Sequence, residues 1–439
     1  MPAISRQRRE ELIDALRRGT VPIQNLDLLA VGLSPFEAVL QEELGAVKAG
    51  GAKFKAVRGE YGTGKTFFSR WLADRARQAG FATSEVQVSE TETPLHRLET
   101  VYRRLMERLG TPDTPTGALR NILDGWFYTL EEDVLAEGKV AGDDNTALLA
   151  ATTELMEKRL ASVTRSAPMF AVALRGYHTA RASGDPALAE GVAAWLAGQP
   201  NVAATIKRQV GIKGDIDHFG ALSFLQGLLT VLRDAGHAGL YLVLDEVETI
   251  QRVRGDVRDK SLNALRQLID DIDAGRFPGL YLLITGTGSF YESPQGVRHL
   301  EPLAQRLQVD FTTDRRFDNP RAVQIRLTPF DVERLVEVGT RVRGIYTQYA
   351  AAPDRVTAQI DDGYIKALAE AVAGRLGGKV GVAPRIFLKK LVADVLDRVD
   401  QFADFDPRKH YALTIQDSEL TPTERRASGA SSVDDIALE

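Results

Sequence analysis

Residues Gly59-Glu60-Tyr61-Gly62-Thr63-Gly64-Lys65-Thr66 spell G-x-x-x-x-G-K-T between a strand-like run at Phe54–Val57 and a helical run from Phe67 to Ala76. Strand, glycine-rich turn and helix in that order are the context a phosphate-binding loop requires. The glycines let the backbone curl so that successive N–H groups point at phosphate oxygens, and the helix N-terminus adds its partial positive charge. Lys65 is placed to reach the β- and γ-phosphates and Thr66 to hold a metal ion. Gly59, Glu60, Tyr61, Gly62, Thr63, Gly64, Lys65, Thr66 and Phe67 are therefore the expected nucleotide-binding residues, with ATP and Mg²⁺ as the expected cofactors.

A second motif supplies chemistry. Leu242-Val243-Leu244-Asp245-Glu246 is an apolar strand ending in two acids, the Walker B pattern. An Asp at such a tip orders the Mg²⁺ shell, and an adjacent Glu polarises the attacking water. Asp245 is assigned to the metal and Glu246 to the general base, which predicts hydrolysis as well as binding. The next apolar run ends Thr285-Gly286-Thr287, where a hydroxyl beside Asp245 would position water; Thr285 is the first choice and Thr287 the second. Arg306 and Arg385 are candidates for stabilising transferred phosphoryl charge, Arg306 across a subunit boundary and Arg385 from the first turn of a later helix.

A chain of 439 residues exceeds one core, since single cores rarely pass about 250–300 residues. Alternating strand and helix signals predict an α/β fold, a P-loop parallel sheet covered by helices. The expected core spans 33–110 and 221–330, preceded by an N-terminal helical segment at 1–32 with a helix from Ser5 to Arg18. Ser34-Pro35-Phe36-Glu37 reads as a capping box that opens the next helix. Residues 111–220 read as a helical insertion broken at Gly142, Gly184 and Gly198. Its aromatics Trp126, Phe127, Tyr128, Phe170, Tyr177 and Trp195 read as helix packing, with a stacking surface for bases as the competing reading. Residues 331–416 read as a helical lid and 417–439 as a disordered tail.

Composition excludes several classes. With no cysteine there is no disulfide, thiolate metal site or cysteine nucleophile, and six scattered histidines give no ligand spacing. No apolar run reaches membrane-spanning length, so a cytoplasmic location without a membrane partner is expected. The net charge of −5 argues against a protein that coats nucleic acid. Local DNA contact stays open at the arginines of the first helix, Arg103-Arg104, Lys207-Arg208, Lys213 and the arginines at 252, 254 and 258.

A P-loop, an Asp-Glu Walker B, a polar strand tip and then an arginine-bearing helical lid resemble, in that order, the AAA+ ATPases, particularly the origin-recognition and loader branch. More narrowly, the segments Arg58–Phe67, Ser89-Glu90-Thr91-Glu92-Thr93-Pro94-Leu95 and Leu244-Asp245-Glu246-Val247-Glu248, with Thr285-Gly286-Thr287, are similar to the ATP-binding proteins of BREX phage-defence systems, of the BrxD type. The resemblance implies a cytoplasmic bacterial ATPase that forms homo-oligomers and works beside a helicase or other defence components on DNA. Too few residues follow the expected lid for the winged-helix domain of the loader branch. The open functions are an ATPase that remodels or loads partners on DNA, a nucleotide-gated signalling or scaffold protein with slow turnover, and a small-molecule kinase.

Overall fold

The computed structural model describes residues 5–138, 140, 144–375 and 384–419. Among these, five strands pair into one parallel sheet in the order β2-β3-β4-β1-β5: β1 Lys53–Arg58, β2 Ala82–Gln87, β3 Leu240–Asp245, β4 Leu280–Gly286 and β5 Gln324–Arg326. Every residue of β3 and β4 is buried, as continuous apolar runs demand when helices cover both faces of a sheet. Val57 of β1 pairs with Thr285 of β4, and Leu244 of β3 with Ile284, so these three strands end together at one edge.

The helices from the N-terminus to the start of the lid are α1 Arg6–Arg18, α2 Ser34–Lys48, α3 Lys65–Gln78, α4 Leu98–Arg108, α5 Leu119–Ala136, α6 Asn145–Arg159, α7 Ala161–Ser166, α8 Pro168–Ala182, α9 Pro186–Leu196, α10 Ala204–Val210, α11 His218–Asp234, α12 Gly255–Asp273, α13 Gly288–Glu292, α14 Glu301–Leu307 and α15 Val332–Thr347. The period-2 alternation of side chains sends Tyr241, Val243, Tyr281 and Leu283 to one face, where they meet Leu40 and Leu44 of α2 and Phe68 and Trp71 of α3. Leu242, Leu244, Leu282 and Ile284 face the other way.

On that second face the helices of 111–220 share one continuous core with the sheet through α4, α11 and α12. Their aromatics are committed inside it. Trp126 Nε1 donates to Asp234 Oδ2 at 2.7 Å, Tyr177 OH donates to Asp124 Oδ1 at 2.7 Å, and Phe127 stacks on His178 with centroids 4.6 Å apart. Of the six, Tyr128 alone is exposed. Helix packing, not a base-stacking surface, accounts for the other five.

A third core lies apart from the sheet. It joins α15 to α16 (Pro353–Gln359), α17 (Asp362–Arg375), α18 (Pro384–Lys389) and a π-helical run at Lys390–Leu396. Leu12, Ile13 and Leu16 of α1 belong to this same core, so the first helix of the segment 1–32 packs with α15 to α18. Ser5 caps α1 through its Oγ, and Gly19 ends it at φ 70°. The capping box expected at Ser34 does not form. Leu33 precedes the helix in αR geometry with no side-chain cap, and Ser34 and Pro35 are its first two helical residues. The break at Gly142 and residues 420–439 of the expected tail lie outside the described residues. Asp417–Glu419 form a turn, and Glu419 Oε1 pairs with Lys390 Nζ at 2.8 Å.

Candidate nucleotide site

The loop after β1 is built around its glycines. A Cβ on Gly59 would stand 2.3 Å from Thr63 Oγ1, and Gly64, the residue before α3, adopts φ +91°, a conformation that only glycine takes without strain. Thr63 Oγ1 donates to Glu60 O at 2.8 Å and so closes the turn. Lys65 Nζ folds back over the loop, donating to Gly59 O at 2.7 Å and to Glu60 O at 3.3 Å, with the Tyr61 ring centroid 5.0 Å away. Glu60 Oε1 accepts from the Gly288 N–H at 3.2 Å, which ties the loop to the start of α13 beyond β4.

Because β4 lies between β1 and β3, its tip brings Thr285 against Asp245. Thr285 Oγ1 donates a short hydrogen bond to Asp245 Oδ1, and Thr66 Oγ1 donates to Asp245 Oδ2 at 3.2 Å. Burial pushes the Asp245 carboxyl upward against the lowering effect of these two hydroxyls. Glu246 sits in the left-handed region at φ 60°, and its N–H lies 3.3 Å from Thr285 Oγ1 and 3.2 Å from Asp245 Oδ1. Its carboxylate accepts from Gln87 Nε2, at the tip of β2, at 2.8 Å. Thr287, the second choice for the polar tip, is buried and caps α13, accepting from the Phe290 N–H at 3.4 Å. Its hydroxyl is thereby engaged in local structure.

Thr66 and Asp245 offer a hydroxyl and a carboxylate oxygen side by side. Among the described residues no three His, Cys, Asp or Glu side chains are grouped to hold a metal. Magnesium fits such a site, since it prefers one or two protein oxygens and completes its shell with water and phosphate.

Tyr61, Lys65, Thr66, Asp245 and Glu246 line one cavity of about 260 Å³. Its remaining walls come from two places that the motifs do not mark. Leu16, Thr20, Val21, Pro22 and Leu29 supply one from the N-terminal segment; Phe330, Val338, Arg385 and Leu388 supply the other from the lid. An apolar slot beside a polar, glycine-lined end suits a flat base attached to a phosphate chain. Arg385 is thus at the cavity, and its Nη2 donates to Glu419 O at 2.9 Å; the residues just before Pro384 lie outside the described range. Arg306 is elsewhere in the chain's own fold. On α14, its Nε donates to Asp270 of α12 and its Nη1 to Pro302 O at 2.7 Å.

Glu248 is the residue that the motif reading passed over. It is 4% exposed, it lines the cavity, and among the described residues neither carboxylate oxygen has a hydrogen-bond partner outside its own residue. Burial raises its pKa to about 7 against the opposing pull of Lys65. Its signal in the sequence was an acid two residues beyond Glu246. Nothing local says that such an acid turns inward.

The comparison with curated proteins returned no match. Residues 4–415 match a protein family described as BREX system ATP-binding protein BrxC/D. That range contains the glycine loop after β1, the Asp245–Thr285 pair and both unmarked walls of the cavity. The chain therefore belongs to this family of ATP-binding phage-defence proteins.

Proposed function

We propose that the chain is a Mg²⁺-dependent ATPase of the AAA+ type that remodels or loads a partner on DNA. The observation that carries this reading is the convergence of Thr66, Asp245, Thr285 and Glu246 at the ends of adjacent strands. Thr66 and Asp245 would hold the magnesium ion, which when bound neutralises phosphate charge and polarises the γ-phosphoryl group. Thr285 fixes the Asp245 carboxylate by its hydrogen bond. Glu246, partly accessible at the cavity wall, takes the proton of the attacking water. Lys65 exchanges its two backbone carbonyls for phosphate oxygens, and Arg385 approaches from the lid. The order of elements, with the Thr285 strand between the P-loop strand and the Asp245 strand, supports the AAA+ assignment.

Arg306 does not line its own chain's cavity, and a finger that serves a second copy needs that placement. An Arg306→Ala protein should bind ATP normally and hydrolyse it poorly. Mixed with Lys65→Ala protein, it should regain turnover at mixed interfaces. Absence of recovery in a proven co-assembly leaves Arg306 as the structural partner of Asp270.

One contact favours the second reading, a nucleotide-gated scaffold with slow turnover: Gln87 holds the Glu246 carboxylate. Steady-state ATP hydrolysis with and without duplex and single-stranded DNA, together with mass measurement in ATP, separates the two. Turnover that rises with DNA supports the ATPase. Tight binding with turnover below about one per minute under every condition supports the scaffold.

A further inference from the structure

β2 is an edge of the sheet, and its outer side is open over a short stretch. The Ala82 N–H bonds to Gly239 O at 2.9 Å and the Val88 N–H to Asp245 O at 2.8 Å, both toward β3. By the alternation of a parallel ladder, the backbone groups of Thr83, Glu85 and Gln87 face away from the sheet. Thr83 is closed by an antiparallel bridge to Gly110, and Gln87 O accepts from Thr93 Oγ1. The N–H and C=O of Glu85 and the N–H of Gln87 remain directed outward.

They open into a groove of about 570 Å³ between α3 and α4, separate from the nucleotide cavity. Arg70 and Arg77 line it from α3 and Arg104 and Arg108 from α4, against Glu85 and Glu92. Arg70 pairs with Glu85 at 2.9 Å, Arg77 with Asp74 at 3.3 Å, and Arg104 with Glu92 at 2.9 Å and Glu107 at 3.0 Å. The exposed Arg108 guanidinium makes no ion pair or hydrogen bond among the described residues. The groove therefore joins unpaired strand-edge groups to one cation, Arg108, that has no acid paired with it among the described residues.

We propose that this groove docks an extended acidic segment of a partner protein, which adds a strand to β2 and sets a carboxylate against Arg108. Edge addition supplies affinity through main-chain hydrogen bonds, and the flanking side chains supply specificity. A polynucleotide suits the groove less well. It has no peptide backbone to offer the Glu85 N–H and C=O an acceptor and a donor in strand register. Docking of this kind does not depend on ATP hydrolysis.

The test is fluorescence anisotropy on the full chain with three labelled probes: a ten-residue peptide alternating Glu and Val, its Lys-Val counterpart, and a dT15 oligonucleotide. The acidic peptide should bind and the basic one should not. Arg108→Glu should weaken binding by tenfold or more while ATP affinity, measured in the same samples as a check of folding, is unchanged. Glu85→Pro should abolish binding by removing an outward N–H that the ladder to β3 does not use. Glu85→Ala, which keeps that N–H, should bind at least as well as the parent. The proposal is overturned by failure of the acidic peptide to bind, by equal binding of the basic peptide, by indifference to Arg108→Glu, or by dT15 binding that Arg108→Glu removes.

Discussion

The nucleotide cavity and the β2 groove lie on the same sheet and are built on opposite plans. The cavity gathers tips: side chains from the ends of β1, β3 and β4 meet at one polar end, and aliphatic walls from the N-terminal segment and the lid close the rest. The groove uses an edge, where backbone groups of a single strand stand between two rows of arginines. A parallel sheet pools many strands at its tips but offers only one strand at an edge. Chemistry that needs several groups in register belongs at the first place, and recognition by repeated main-chain contact at the second.

The sharpest break in that comparison is Lys65→Ala. It removes the cation proposed to meet the phosphates and should weaken ATP binding by at least about a hundredfold, the scale of losing one partner of a buried charge pair. Isothermal titration calorimetry checks this, and retained micromolar affinity would refute the P-loop assignment. Glu246→Gln should leave ATP affinity in place and lower turnover by about a hundredfold. Unchanged turnover would move the base elsewhere and favour the scaffold reading.

Glu248→Gln tests the apolar character of the cavity. The Glu248 pKa is raised from 4.5 to about 7 in the fold, so the carboxyl favours folding while protonated, and that contribution disappears as pH rises from 4.5 through 7. The group should cost the parent protein about 3 kcal/mol of stability at pH 8 relative to pH 4. The Gln variant lacks this slope. In urea melts without nucleotide it should be the more stable protein at pH 8, with the difference closing toward pH 5; parallel curves would show that Glu248 is already neutralised by a partner. The smallest expected effect is Gln87→Ala, which removes one hydrogen bond of about 1 kcal/mol from Glu246 and should raise basal turnover by up to about fivefold. A fall in turnover would mean that Gln87 aims the carboxylate and does not restrain it.

What could be read in the chain beforehand depends on how far apart the contributing residues lie. The P-loop and Asp245-Glu246 are contiguous, and each carries its own geometry. Thr285 lies against Asp245 because a polar residue ending the apolar strand next to Asp245 has few other places to be. Glu248 was not given a role because its burial depends on the left-handed turn at Glu246, which a non-glycine residue seldom adopts. The cavity's N-terminal wall was hidden for another reason: Leu16 and Leu388 meet across most of the chain, and no local pattern encodes such a contact. Helical periodicity announced residues 111–220 as helices, yet said nothing of their joining the core of the sheet. At Ser34 the local signal was misleading, because a serine before proline suits the first helical position as well as the cap.

The path of the N-terminal segment determines how the lid can move. Leu16 lies in the lid core, Leu26 in the core of the sheet, Leu29 and Val31 in the lid core again, and Leu33 once more with the sheet. The chain passes back and forth three times before the P-loop begins, and returns to the lid only after β5. The lid is thus sewn to the core of the sheet along a seam, not hung from one connection. Small rocking motions keep every stitch intact, but wide opening must draw Leu29 and Val31 out of the lid, at about 1.5–3 kcal/mol for each side chain exposed. Because the same seam carries Val21 and Pro22 of the cavity wall, any motion that unpicks the seam also opens that wall.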